Sequence, residues 1–222
     1  MLGLSTIQYI SIAILPLLFA ITVHEVAHGW VAARLGDKTA LMLGRLTLNP
    51  LKHIDLVGTI LVPASLLLLS SQLGHSFVFG WAKPVPVTWQ NLHNPKRDMA
   101  LVAFAGPFAN LLMAIGWAMI LKLGLVLGHE ALWYSRPMIL MAQIGISVNL
   151  VLMVLNLLPI PPLDGGRILT GLLPGPWAWK LARVEPYGFF ILIGLIATGL
   201  LAKILLPVVS LLQNLLYMIF GT

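Results

Sequence analysis

The sequence predicts an all-α polytopic membrane protein of about five to six membrane segments, and three observations carry that reading. Of the 222 residues, 59% are hydrophobic and only 9% are charged, against roughly 45–50% and 25% in soluble domains. Mean hydropathy is +0.96. Apolar runs recur along the chain, several of them long enough to cross a hydrocarbon core of about 30 Å, and Gly, Pro and charged residues gather between them. Cysteine is absent, which excludes a disulfide framework and thiolate metal sites. Any metal must be held by His, Asp or Glu. The net charge of +6 forms no basic run. Lys and Arg stand singly at the ends of apolar stretches, where they set membrane orientation. The expected partner is therefore the lipid bilayer and not nucleic acid.

The first apolar run extends from Leu4 as a helical pattern to about Leu35, with Gly36-Asp37 as the stop. Ile7–Val23 has no basic n-region or small-residue cleavage site before or after it, so it is expected to be a retained helix. In Ala40–Leu48, apolar and polar or small residues roughly alternate, which predicts a strand and with it a small membrane-associated β-hairpin or sheet. Asn49-Pro50 breaks that stretch. Leu56–Leu69 is apolar but short and carries Gly58 and Pro63. Residues 74–98 read as a loop rich in Gly, Pro, Trp and His. Asp98–Leu127, containing Gly106-Pro107, and Pro137–Leu158 are long membrane helices, and the second ends in Pro159-Ile160-Pro161-Pro162. A polar loop follows at 164–185. Tyr187–Leu206 is expected to span, and Val208–Phe220 is a short final apolar piece.

The chemistry concentrates in His24-Glu25-Val26-Ala27-His28 on the first helix. A spacing of four puts both imidazoles on one helical face, one turn apart, so both can reach a single Zn2+. Glu25 lies about a third of a turn round, able to meet an attacking water without being a ligand, which is the position of a general base. With six His and three Glu in the chain, such a match is expected by chance roughly 0.002 times. Location weighs more. An uncompensated ionisable side chain in a membrane helix costs about 2.5–3.5 kcal/mol on insertion scales, and three lie here within five residues. A polar patch between packed helices is the alternative.

Two His leave a catalytic zinc one protein ligand short. Asp37, Asp55 and Asp98 stand among loop charges and are expected to be solvated, while Glu130 and Glu185 lie in loops. Asp164 stands out because it follows a helix broken by three prolines. Unwound backbone at membrane depth is tolerated only where it is buried in protein or lines a wet cavity. Capping of a short helix over Gly165–Leu173 is the other role open to it. His53 reads as an interfacial surface group with a ligand role as the alternative, and His75, His93 and His129 as loop residues.

These residues resemble the site-2 protease family of intramembrane zinc metalloproteases. HEVAH and NLLPIPPLDGG are similar to that family's paired signatures, and Gly106-Pro107-Phe108-Ala109-Asn110 is similar to its GPxxN segment. GRLTLNPLKHID and FGWAKPVPV look like the flanks of its short bacterial members, and the likeness covers about residues 15–170. The resemblance implies one zinc ion held by His24, His28 and Asp164, with Glu25 as the base that activates water. It puts Asn156 at the substrate cleft. Asn110 is placed there too, with a packing contact between helices as its alternative. Transmembrane protein substrates are implied, cleaved within or near the bilayer of a bacterial cytoplasmic membrane. The chain reads as one integral-membrane domain over 1–222, with a catalytic core of about 4–173, C-terminal helices at 186–220 and no inserted PDZ-like or CBS-like domain. Two rivals use the same His/Asp cluster differently: a membrane metal transporter, or an inactive membrane scaffold. A transporter needs ionisable groups staged along its path, and the long helices carry hardly any besides the cluster. A scaffold has no use for Glu25.

The ligands must also meet at one depth. If Leu56–Leu69 crosses, the first helix and Pro137–Leu158 run antiparallel and the two motifs fall on opposite faces. A re-entrant segment at 56–72 makes the helices parallel and brings the motifs together. Charge agrees: Arg34, Lys38, Arg45, Lys52, Lys83, Lys96, Arg97, Arg167, Lys180 and Arg183 then share one side, against Arg136 alone in loop 124–137. The basic side is expected to be cytosolic, with the zinc site opening toward it.

Overall fold

The computed structural model describes residues 5–62, 65, 80–128 and 132–222. Its helices are α1 (Thr6–Arg34), α2 (Thr39–Met42), α3 (Pro95–Leu127), α4 (Leu132–Asn156), α5 (Asp164–Leu172), α6 (Gly175–Ala182), α7 (Gly188–Ala197) and α8 (Leu200–Phe220). Short 3-10 turns occupy Pro50–Lys52, Trp89–Asn91 and Glu185–Tyr187, and Leu56–Leu61 forms a π-helical turn. The fold is all-α. Among the described residues, four helices are long and apolar enough to cross a membrane: Ile7–Arg34, Pro95–Leu127, Tyr134–Asn156 and Leu200–Phe220. The ten residues of α7 reach only about 15 Å, half a hydrocarbon core.

α3 is the central element and packs on α1, α4 and α5, while α8 closes the far side of α4. Small residues make this closeness possible. Ala114 and Ala118 of α3 lie against Ala142, Ile146 and Leu150 of α4, with Leu205, Val209 and Leu216 of α8 completing the core. Without a hydrophobic drive between helices in lipid, association rests on such close packing. Large apolar side chains point outward instead, among them Ile10, Ile14 and Phe19 of α1, as lipid contact requires.

The predicted strand at Ala40–Leu48 is absent, and no strand occurs among the described residues. Helix α2 stands there, closed by bonds from Leu43 N to Thr39 O (3.1 Å), Gly44 N to Leu41 O (3.0 Å) and Arg45 N to Ala40 O (2.9 Å). Gly44 takes a φ of 63°, a left-handed terminator that suits glycine. Alternation misleads here for a physical reason. Leu41, Met42 and Leu43 are all exposed, and in a membrane protein an apolar side chain need not face the core.

The C-terminal boundary also moves. The break expected at Pro207 falls at Gly199, whose φ is 69°. The Thr198 hydroxyl donates back to Gly194 O (2.8 Å) at that break. α8 then runs unbroken through Pro207, so Val208–Phe220 continues a helix long and apolar enough to cross a membrane and is not a separate piece.

The re-entrant segment at 56–72 falls mostly outside the described residues. The described chain at residues 53–59 is bonded to the described chain beyond the segment, at residues 81–83. Trp81 N donates to Gly58 O (3.0 Å), Lys83 N to His53 O (2.9 Å) and Thr59 Oγ1 to Trp81 O (2.8 Å). His53 is buried, not at the surface, and its Nε2 lies 2.9 Å from Thr47 O.

Asp37, expected to be solvated, is fully buried, and Asp98 nearly so. Asp37 accepts from Thr39 N (3.1 Å) and the Thr39 hydroxyl, Thr88 N (2.7 Å) and Asn91 Nδ2 (3.1 Å). It thereby clamps the end of α1 to the segment entering α3. Burial pushes the carboxyl up, but the bonds from Thr39, Thr88 and Asn91 outweigh it and hold Asp37 below the ordinary carboxylate range. A depressed folded-state value stabilises fully above the unfolded value of 3.8 and is lost as pH falls through the lowered one. Asp37→Asn should therefore cost about 1–3 kcal/mol at neutral pH, read as a lower Tm in detergent, with the deficit closing on acidification.

Candidate metal centre

α1 presents His24 and His28 on one face, and the break after α4 carries Asp164 to them. His24 Nε2 and His28 Nε2 stand 3.0 Å apart, and Asp164 Oδ2 lies 3.2 Å from the first and 3.3 Å from the second. All three residues are buried. The group is one that could hold a metal ion. His24 lies ten residues before Arg34 on the same helix, hence about 15 Å along its axis.

The protons around this group can be placed from its partners. Asn149 Nδ2 donates to Gly145 O (2.8 Å), so Asn149 Oδ1 is turned to accept from Asn110 Nδ2 (2.9 Å). Asn110 Nδ2 also reaches Ala20 O (3.4 Å). Its Oδ1 is left to accept, and the partner is His24 Nδ1. His28 Nδ1 faces Val102 O at 2.7 Å, an acceptor only, so this nitrogen too carries the hydrogen. In the neutral imidazoles, the form that binds a metal, both Nε2 atoms are therefore bare lone pairs. They converge on Asp164 Oδ2, which is buried and has no hydrogen-bond donor.

Three lone-pair donors and no proton between them repel one another unless a cation lies among them. Tetrahedral zinc with bonds of about 2.0 Å has ligand–ligand edges of about 3.3 Å, close to the observed separations. The donor set, two neutral imidazoles and a carboxylate, fits zinc. Asp164 is the first residue of α5, with Leu163 at its N-cap, and its Oδ2 makes no hydrogen bond but lies at the two imidazoles.

Glu25 stays outside this trio. Its Oε2 accepts from the Val85 backbone N–H (2.7 Å). Glu25 and His24 line a cavity of about 500 Å³ with Leu17, Ile21, Leu155 and Asn156. A second space of about 290 Å³ adjoins it, bordered by His28, Asp164 and Arg167. Asn156 borders both, with its Nδ2 bonded to Leu152 O (3.0 Å). Asn110 does not reach the cleft: it is fully buried behind His24, where its amide orients the imidazole.

Sequence reasoning passed over two contributors and gave a third, Gly106, only as part of the GPxxN-like segment. Asn149 completes the chain behind His24, and an Asn within an apolar helix was the available signal. Val102 acts through its carbonyl, which no side-chain pattern reveals. Gly106 lies directly against the imidazoles, so a Cβ there would run into His28 Nε2 and His24 Cε1. α3 can approach the pair only because this position has no side chain.

Comparison with known proteins places the chain in a family. The model of peptidase family M50 matches residues 12–196. The chain is 39% identical over 198 residues to YwhC of Bacillus subtilis (strain 168), which carries the name of a zinc metalloprotease; the match covers 89% of this chain and 85% of that one. It is 31% identical over 202 residues to Rip2 of Mycolicibacterium smegmatis, also named for a zinc metalloprotease, covering 89% and 72%. No solved structure matches.

Two substitutions test the geometry by metal content alone. Gly106→Ala should abolish stoichiometric metal in the purified protein, because its methyl occupies the imidazoles' space. Asn110→Ala should weaken metal affinity about 10–100-fold, the usual cost of losing the group that orients a ligating imidazole. Competition with a metal-sensitive dye measures both.

Proposed function

The chain belongs to peptidase family M50, and from that premise we propose that it is a one-zinc intramembrane endopeptidase acting on transmembrane proteins. The observation that carries this reading is the convergence of His24, His28 and Asp164 beside Glu25 on a helix long and apolar enough to cross a bilayer. His24, His28 and Asp164 hold the zinc, which when bound supplies Lewis acidity and brings the pKa of a water down toward about 7. Glu25 takes the proton of the attacking water and returns it to the leaving amine. The Asn110 and Val102 contacts keep both Nε2 atoms free for the metal. Asn156 binds the opened peptide from the side of the cavity.

The cavity suits an apolar chain made available to water. Leu17, Ile21, Leu155, Leu192 and Leu201 supply its apolar wall, while His24, Glu25 and Asn156 supply its polar end. A transmembrane helix has its peptide groups already bonded and must be locally opened before hydrolysis. The zinc site faces the cytosol of a bacterial cytoplasmic membrane, the side on which the basic residues collect.

Two experiments test the reading. Glu25→Gln should keep zinc and fold yet abolish cleavage. Proteomics of membrane-protein fragments in cells with wild type or the variant should then show peptides that disappear with Glu25, and identical fragment sets would reject the assignment. Since the chain has no cysteine, single-cysteine labelling reads topology directly. Lys52→Cys and Lys180→Cys should react from the cytosol and Arg136→Cys from the other side.

A further inference from the structure

Glu25 sits at the edge of a cavity, on a side chain with three rotatable bonds, and a base that is free to wander is a poor one. Among the described residues its hydrogen-bond partner is a single backbone group, the N–H of Val85, at 2.7 Å from Oε2. The segment that supplies it, Lys83-Pro84-Val85-Pro86-Val87, has an unusual donor inventory. Proline has no N–H, so Val85 carries the lone amide hydrogen between Lys83 and Val87. Each proline also biases the residue before it toward extended backbone, which pre-sets Lys83 and Val85.

The segment is held on both sides of Val85. Upstream, Lys83 N donates to His53 O (2.9 Å), and Arg45 Nη2 donates to Lys83 O (3.0 Å) and Pro84 O (3.4 Å). Downstream, Thr88 N donates to Asp37 (2.7 Å). The Val85 side chain is buried and touches α1 at Gly29, where an added Cβ would lie 2.8 Å from its Cγ1. That contact is one turn beyond Glu25. The amide is thus fixed relative to the helix that bears the carboxylate.

We propose that Val85 is a positioning residue for Glu25, acting through its backbone N–H. The amide engages Oε2 and leaves Oε1 as the oxygen that receives the proton of water. The flanking prolines keep other backbone donors from competing for the carboxylate. This inference rests on the proteolytic reading for its purpose, but the contact itself is independent of it.

The test separates the two. In full-length, zinc-loaded protein in detergent micelles, 15N-valine labelling follows exchange of the Val85 amide, identified by its loss in Val85→Ile. Exchange should quicken at least about tenfold in Glu25→Ala; equal rates in the two proteins overturn the proposal. A membrane substrate cleaved by wild type but not by Glu25→Gln supplies the kinetic arm. Val85→Pro deletes the hydrogen at similar bulk and should lower kcat about 100-fold with KM and zinc content held. Val85→Ala deletes packing but keeps the hydrogen, and should lose no more than about threefold. Equal losses in both variants assign Val85 to packing and overturn the proposal. If wild type cleaves nothing, the proteolytic reading falls, and the exchange rates alone decide the contact.

Discussion

Two imidazole lone pairs and a carboxylate oxygen meet within 3.3 Å of one another inside a bundle of apolar helices. With both imidazoles neutral, nothing in that trio attracts its members to each other, and the surrounding lipid supplies no hydrophobic force to press them together. The meeting has to be imposed by the packing of α1, α3 and the break after α4. This explains why α3 lies at the centre and why its site-facing positions are small. Ala100, Ala103, Ala105 and Gly106 are buried along it, and a bulkier side chain at Gly106 would push the helix off the imidazoles.

The same constraint governs the polar groups behind the trio. In a bilayer each buried donor and acceptor must find its partner within the protein. The Gly145–Asn149–Asn110–His24 chain does so in one direction only, and that direction leaves His24 Nε2 bare. His28 reaches the same state through Val102 O. Two Asn and a carbonyl thus prepare two ligands, and the metal proposed for the site meets a donor set already in its binding tautomers. The loop before α3 provides a comparable service from outside the bundle. Asp37, Arg45 and His53 tie it down, so a segment without regular structure can still present one amide to Glu25.

Much of this was legible in the residues. Spacing placed His24 and His28 on one face, and the Pro-rich break after Asn156 singled out Asp164. Long apolar runs located α1, α3 and α4 to within a few residues. The failures share a cause. Leu41 to Leu43 read as part of a strand because apolar residues were taken to face inward, whereas here they are exposed. Asp37 and Asp98 read as solvated because loop charges usually are, yet neighbouring backbone and side chains bury them. Pro207 read as a break although a proline interrupts only one helical bond, while the left-handed Gly199 ends the helix.

What the sequence determined by itself was chemical type: an apolar chain without cysteine, two imidazoles and a carboxylate at helical spacing, and a second carboxylate after unwound backbone. These follow from composition and short-range periodicity, which depend on neighbours a few residues apart. Only the tertiary structure decided which groups touch. It brought Asp164 to His24 across 140 positions, turned Asn110 from the cleft to the back of an imidazole, and set the Val85 amide on Glu25. Contacts of that kind depend on how whole helices pack, and on backbone groups that every residue carries, so no pattern of side chains announces them.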